Sequence, residues 1–161
     1  MELVAVDIGG THARFAIADV EHGRVTSLGD TTTLRTDTHA SLQTAWEAFA
    51  SRLGRSLPRA TSIAVACPVM GDVLKPTNNP WIVRPAQIGD RLGVDRVTLI
   101  NDFGAVAHAV MNVEPRSGFA SRFTAKGRFE LMMAAIPVKV ITHPQPGLFG
   151  AAAAFAEEHC R

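Results

Sequence analysis

Apolar residues come in short runs separated by polar breaks, and their spacing alternates between the period of strands and that of helices. Leu3 to Val6 and Phe15 to Ala18 are runs of strand length on either side of a Gly9-Gly10 pair, which predicts a β-hairpin. A weaker third strand is expected within Arg24 to Leu34. Leu42, Ala45, Trp46, Phe49 and Leu53 then share one helical face, with Asp37 or Thr38 as the expected cap and Gly54 as the stop. Ser62 to Cys67 reads as a buried strand ending at Pro68, and the Pro-, Gly- and Asn-rich stretch to Pro85 as loops and short extended pieces. A short helix from Pro85 to Leu92, a strand over Arg96 to Ile100 and a small-residue helix over Phe103 to Met111 follow. Beyond a polar break at Asn112 to Gly118 come a basic helix-like stretch (Phe119 to Ala135), a strand (Val138 to Thr142) and a turn (His143 to Gly147). An alanine-rich helix from about Leu148 to His159 completes the pattern. A hairpin sheet followed by alternating strands and helices predicts an α/β domain.

Composition narrows this picture without redirecting it. The 161 residues are 47% hydrophobic and 19% charged, with a net charge of +1, the profile of an ordinary globule. That balance supplies no electrostatic reason to expect nucleic acid or an anionic membrane as partner. The longest apolar stretches, such as Ala151 to Ala156, fall far short of the ~20 residues a membrane span requires. An acid inside the first apolar run and the lack of a basic segment before it argue against a signal peptide. Cys67 and Cys160 lie far apart; Cys67 is expected to be a buried thiol and Cys160 part of a frayed end, a usage that fits a reducing cytoplasm.

Two short motifs carry candidate chemistry. In Asp7-Ile8-Gly9-Gly10-Thr11 the paired glycines let backbone N–H groups approach an anion closely, and Thr11 adds a hydroxyl. Arg14 adds a positive charge if it points to the same side. Asp7 would repel a phosphate directly but could hold a Mg²⁺ ion or its water shell, as phosphoryl transfer needs. The alternative is a Gly-Gly hairpin without a ligand. In Leu99-Ile100-Asn101-Asp102-Phe103 a carboxylate and an amide stand at the C-terminal end of a strand, where α/β proteins place ligands. Asp102 could accept the proton of an attacking sugar hydroxyl while Asn101 orients the neighbouring hydroxyls. The alternative is that Asp102 only caps the following helix.

Taken together these strings resemble a known family. Val6-Asp7-Ile8-Gly9-Gly10-Thr11, followed by Ala13-Arg14-Phe15, resembles the first phosphate loop of sugar kinases in the actin/Hsp70/hexokinase superfamily, with His12 where bacterial glucokinases often carry Asn. The string from Leu99 through Asn101, Asp102 and His108 to Val110 is similar to the catalytic-base segment of bacterial glucokinases. Ala66-Cys67-Pro68-Val69, Gly71-Asp72 and Thr77-Asn78-Asn79-Pro80-Trp81 match that family's layout between the two motifs. Phe123 to Phe129, Ile136-Pro137-Val138 and Pro146 to Ala151 resemble the family's last segment.

The resemblance implies a single ribonuclease-H-like, actin-like α/β lobe: an N-terminal β-hairpin sheet with flanking helices, and most of the second lobe absent. Residues 1–112 would be the small lobe and 117–161 the family's C-terminal segment, its last helix packing back on that lobe. The reaction implied is ATP-dependent phosphorylation of glucose to glucose 6-phosphate. On it, Asp102 is the general base and, with Asn101, a sugar ligand. Val6, Asp7, Ile8, Gly9, Gly10 and Thr11 would bind ATP, and Asp7 would serve Mg²⁺ indirectly. His108 is expected to pack rather than react. The Gly-x-Gly-Thr-Gly and Gly-His-Glu strings of the family's larger lobe are not in this sequence. Turnover is therefore expected to be small, leaving a lobe that binds sugar or phosphate weakly or self-associates. Leu131 to Ile141, deprived of neighbours, are expected to form an exposed apolar patch that favours homo-oligomers.

Overall fold

The computed structural model of the chain describes residues 1–111 and 143–160, so the helix and strand expected over Phe119 to Thr142, and their apolar patch, lie outside the described residues. Strands β1 (Glu2–Ile8) and β2 (His12–Glu21) form the expected antiparallel hairpin, in which Asp7 stands opposite Arg14. Where one weak strand was expected there are two, β3 (Arg24–Leu28) and β4 (Thr32–Arg35), and both pair with β2. The chain breaks between them at Gly29, whose N–H returns to the Ile17 carbonyl at 2.8 Å. Helix α1 spans Leu42–Leu53, and β5 is Ala60–Val65. After a long loop come α2 (Ile88–Leu92), preceded by one 3₁₀ turn at Pro85–Gln87, then β6 (Arg96–Asn101) and α3 (Asp102–Met111). Helix α4 is Pro146–His159, starting two residues before Leu148 because proline at the first helical position has no N–H to satisfy.

Among the described residues the six strands make one sheet in the order β3-β2-β1-β5-β6, with β4 also on β2. β1, β5 and β6 run parallel, which puts Ile8, Val65 and Asn101 at one edge of the sheet. The strict alternation of the strands divides the core in two. Val4, Val6, Ile8, Phe15 and Ile63 face α1 and α2, with Phe15 stacked on Phe49 at a ring separation of 5.3 Å. Leu3, Ala5, Ala16, Ala18 and Val20 face α4 through Leu148, Ala152, Phe155 and Ala156. This is the sheet-with-flanking-helices architecture that the alternating pattern predicted.

The cap of α1 is corrected by the structure. Ser41, not Asp37 or Thr38, begins the helix: its Oγ accepts from the Thr44 N–H at 3.3 Å, and Thr44 Oγ1 accepts from the Ser41 N–H at 3.1 Å. The partner hydroxyl three residues on makes this reciprocal pair, which Asp37 and Thr38 cannot form from their 3₁₀ turn at Thr36–Thr38. Gly54 closes α1 in the left-handed conformation, as expected. Cys67 is buried, and Cys160 is not frayed: it ends α4 and packs half-buried on the α4-side core.

α3 and α4 cross in near contact. A β-carbon on Gly150 would overlap the Ala105 carbonyl, so only a glycine lets the two backbones approach this closely. That crossing fixes the start of α4, and with it one wall of the site.

Candidate functional site

The site forms where β1, β6 and the start of α4 meet. Asp7 is the last residue of β1 to point toward α4, and its neighbour across the hairpin, Arg14, puts Nη1 3.3 Å from Asp7 Oδ2. The second residue of α4, Gly147, lies against this carboxylate: a β-carbon there would come within 2.6 Å of Oδ2 and 2.8 Å of Cγ. Burial under α4 raises the Asp7 pKa above the ordinary carboxylate value; Arg14 works in the opposite direction, and the Asp102 carboxylate adds to the rise.

Asn101 and Asp102 divide their roles differently from either simple reading. Asn101 is the cap of α3, its Oδ1 accepting from the Gly104 N–H at 3.2 Å. Its Nδ2 donates to Asp102 Oδ1 at 2.8 Å and to the Cys67 carbonyl at 3.4 Å. Asp102, the first residue of the helix, takes the Phe103 N–H on the same Oδ1 at 2.9 Å. Both bonds fall on one oxygen, and Oδ2 has no partner among the described residues. A carboxylate oriented through one oxygen and open at the other is suited to accepting a proton.

Asp7 and Asp102 face one cleft of about 430 Å³, walled by Arg14, Phe103, Pro146 and Gly147. It opens beside the C-terminal ends of the parallel strands, the edge at which open α/β sheets bind ligands. The other residues singled out from sequence are not on its wall. Val6 and Ile8 are fully buried in the α1-side core, so only their main chain could reach a ligand. Gly9, Gly10 and Thr11 form the hairpin turn just beyond Asp7, with the Gly9 N–H bonded to the His12 carbonyl at 2.9 Å. Thr11 Oγ1 lies 2.9 Å from His12 Nδ1, so the imidazole at this departure from the family pattern engages the turn's own hydroxyl. His108 is half-buried, with Nδ1 3.4 Å from a Glu157 carboxylate on α4, away from the cleft.

Three residues touch the acids or their turn without a role readable from sequence: Gly147 against Asp7, Asn79, whose Nδ2 donates to the Gly9 carbonyl, and Thr36, whose Oγ1 donates to the Gly10 carbonyl. Gly147 belongs to the expected turn before α4, and Asn79 to the string Thr77 to Trp81, but neither string says what it touches. Thr36 carries no local signal.

A family model described as glucokinase matches residues 3–117 and 113–158. The chain belongs to the glucokinase family. It is 63% identical over 114 residues to the glucokinase of Zymomonas mobilis, an alignment covering 71% of this chain and 35% of that protein. It is 38% identical over 107 residues to the glucokinase of Chromohalobacter salexigens, covering 66% and 33%. The crystal structure of a glucokinase from an Antarctic psychrotroph superposes with a TM-score of 0.62 at 26% identity, covering 70% of this chain and 36% of that one. This glucokinase-family chain thus spans about a third of the length of the relatives it matches. Among its described residues no helix is long and apolar enough to cross a membrane.

Proposed function

We propose that this chain carries the phosphate-loop and general-base half of a glucokinase site, and that the complete site transfers the γ-phosphoryl group of ATP to glucose. The observation that supports this reading is the meeting of Asp7, Arg14 and Asp102 around one cleft at the carboxyl edge of the parallel strands. Asp102 is the base: Oδ2 accepts the proton of the attacking sugar hydroxyl while Oδ1 stays bound by Asn101 and the Phe103 amide. Asn101, fixed as the helix cap with both Nδ2 hydrogens donated within the chain, holds Asp102 in place and keeps the second lone pair of Oδ1 for a sugar hydroxyl. The Gly9–Thr11 turn, extending from Val6 and Ile8 in the sheet, faces the phosphates. Asp7 and Arg14 fit the phosphate end chemically, as a carboxylate that takes metal-bound water and a guanidinium that takes a phosphate oxygen. Mg²⁺ bound there would neutralise charge on the transferring group.

Residues 1–112 and 117–161 are on this reading the two ends of the family, joined near Val113 to Arg116. A single lobe can bind but cannot clamp. Orientation supplies ~7–11 kcal/mol of a typical barrier reduction, and it requires two walls. Turnover by this chain is therefore expected to fall below detection, although glucose still shifts the Asn101–Phe103 amides in an NMR titration. A coupled glucose 6-phosphate assay with Mg-ATP, run beside Asp102→Asn, checks the first expectation. Turnover that the substitution abolishes would show one lobe to be sufficient. Amides that glucose leaves unmoved would remove the sugar half of the proposal.

A further inference from the structure

The turn between β1 and β2 is held from behind, carbonyl by carbonyl. Asn79 Nδ2 donates to the Gly9 carbonyl at 2.8 Å. Thr36 Oγ1 donates to the Gly10 carbonyl at 2.9 Å, and the Thr36 N–H donates to the Thr11 carbonyl at 3.0 Å. The two clamping residues are tied to each other through Trp81, which is almost fully buried. Its N–H donates to Asn79 Oδ1 at 2.9 Å and its Nε1 to the Thr36 carbonyl at 3.1 Å. The loop carrying Asn79 presses close, since a β-carbon on Gly10 would lie 2.9 Å from the Thr77 carbonyl.

A planar trans peptide points its C=O and the following N–H in opposite directions. Holding the Gly9 carbonyl toward Asn79 therefore turns the Gly10 N–H away from it, and holding the Gly10 carbonyl toward Thr36 turns the Thr11 N–H away likewise. Among the described residues no acceptor takes either N–H. Trp81, Leu34 and Val83 belong to the α1-side core, whereas Asp7 and Arg14 point to the α4 side. The clamp thus stands on the side of the sheet opposite the cleft.

We propose that Thr36 and Asn79 are positioning residues: they lock the Gly9–Thr11 turn with its carbonyls turned back and two amide N–H groups presented as a cradle for a phosphate. The inference rests on the reading of this turn as the phosphate loop, and it goes beyond that reading in assigning the cradle's shape to two side chains that touch no ligand. A turn of Gly-Gly-Thr is otherwise free to flip its peptides, and a flipped Gly9–Gly10 peptide would offer a phosphate an oxygen in place of a hydrogen.

The test is an NMR titration of the full chain with inorganic phosphate, comparing wild type with Thr36→Val, Thr36→Ser and Asn79→Asp. Thr36→Val removes the donor at nearly constant shape, Thr36→Ser keeps it, and Asn79→Asp replaces the amide donor with an acceptor. Without ligand, the Gly10 and Thr11 amide signals should move in Thr36→Val and Asn79→Asp and hold their wild-type positions in Thr36→Ser. Phosphate affinity should fall roughly tenfold in the first two and recover to within about twofold in Thr36→Ser. Folded variants whose Gly10 and Thr11 signals and phosphate affinity stay at wild-type values would overturn the proposal. If buried Thr36→Val does not fold, Asn79→Asp, at a half-exposed position, carries the same comparison. Signals that respond to the substitutions while phosphate moves none of them, even in wild type, would keep the clamp and overturn the phosphate reading.

Discussion

Asp7 is ringed by groups with opposed effects: α4 strips its water, Asp102 repels it, and Arg14 alone among the named neighbours favours its charged form. Its folded pKa lies above the ordinary 3.8, so the folded chain binds this proton more tightly than the unfolded chain does. The sign follows from linkage: stability is greatest below the ordinary value and falls as pH rises through the raised one. Ionising the Asp7 carboxylate therefore costs the fold stability, a cost that an uncharged amide at this position would not carry. Asp7→Asn should raise the melting temperature at pH 7 by a few degrees, with the gain disappearing toward pH 4. Thermal unfolding of both proteins across pH 4 to 8 checks it, and a melting point lowered at pH 7, with the loss shrinking toward pH 4, would mean that the Arg14 pair outweighs burial.

At the scale of elements, α3 and α4 cross with their backbones in near contact, and Gly150 makes this possible. Gly150→Ala should force the helices apart and cost about 2–3 kcal/mol, measured by denaturant unfolding. Because the clash is with the Ala105 carbonyl, Ala105→Gly should not rescue it; rescue would mean that side chains, not backbones, set the spacing. Sequence could not foresee this contact, since Gly150 sits in a run of small residues that reads only as a helix. The elements themselves were legible where one face is buried: β1, β2, β5 and α1 all followed from the period of their apolar residues. Boundaries slipped where the deciding partner is a single hydroxyl or carbonyl, as at Ser41 with Thr44. Each acid stood out in its own motif, Asp7 beside the glycine pair and Asp102 at the end of a strand, but their facing one cleft did not. The backs of those motifs were not legible, because Thr36, Asn79 and Gly147 reach the site through space from 26 to 140 residues away.

At the scale of the described molecule, α4 packs back on the N-terminal hairpin. Leu3, Ala5, Ala16, Ala18 and Val20 form the α4-side face of the N-terminal hairpin, and the described residues that cover them come chiefly from α4. Leu148 and Phe155 are both fully buried and together contribute roughly 3–6 kcal/mol, a large share of the ~5–15 kcal/mol by which a domain is stable. The same helix places Gly147 against Asp7, so the element that completes the core also completes the cleft. A lobe built from the first 111 residues alone would therefore lack both a closed core and a finished site. Ending the chain after residue 142 should abolish the cooperative thermal transition and cause aggregation through the uncovered sheet face. A synthetic peptide of residues 143–161, added in trans, should restore both the transition and the wild-type signals of the Asp7 region. A truncated chain that unfolds cooperatively at the wild-type midpoint would mean that the hairpin sheet is stable without its roof, and that α4 serves the site alone.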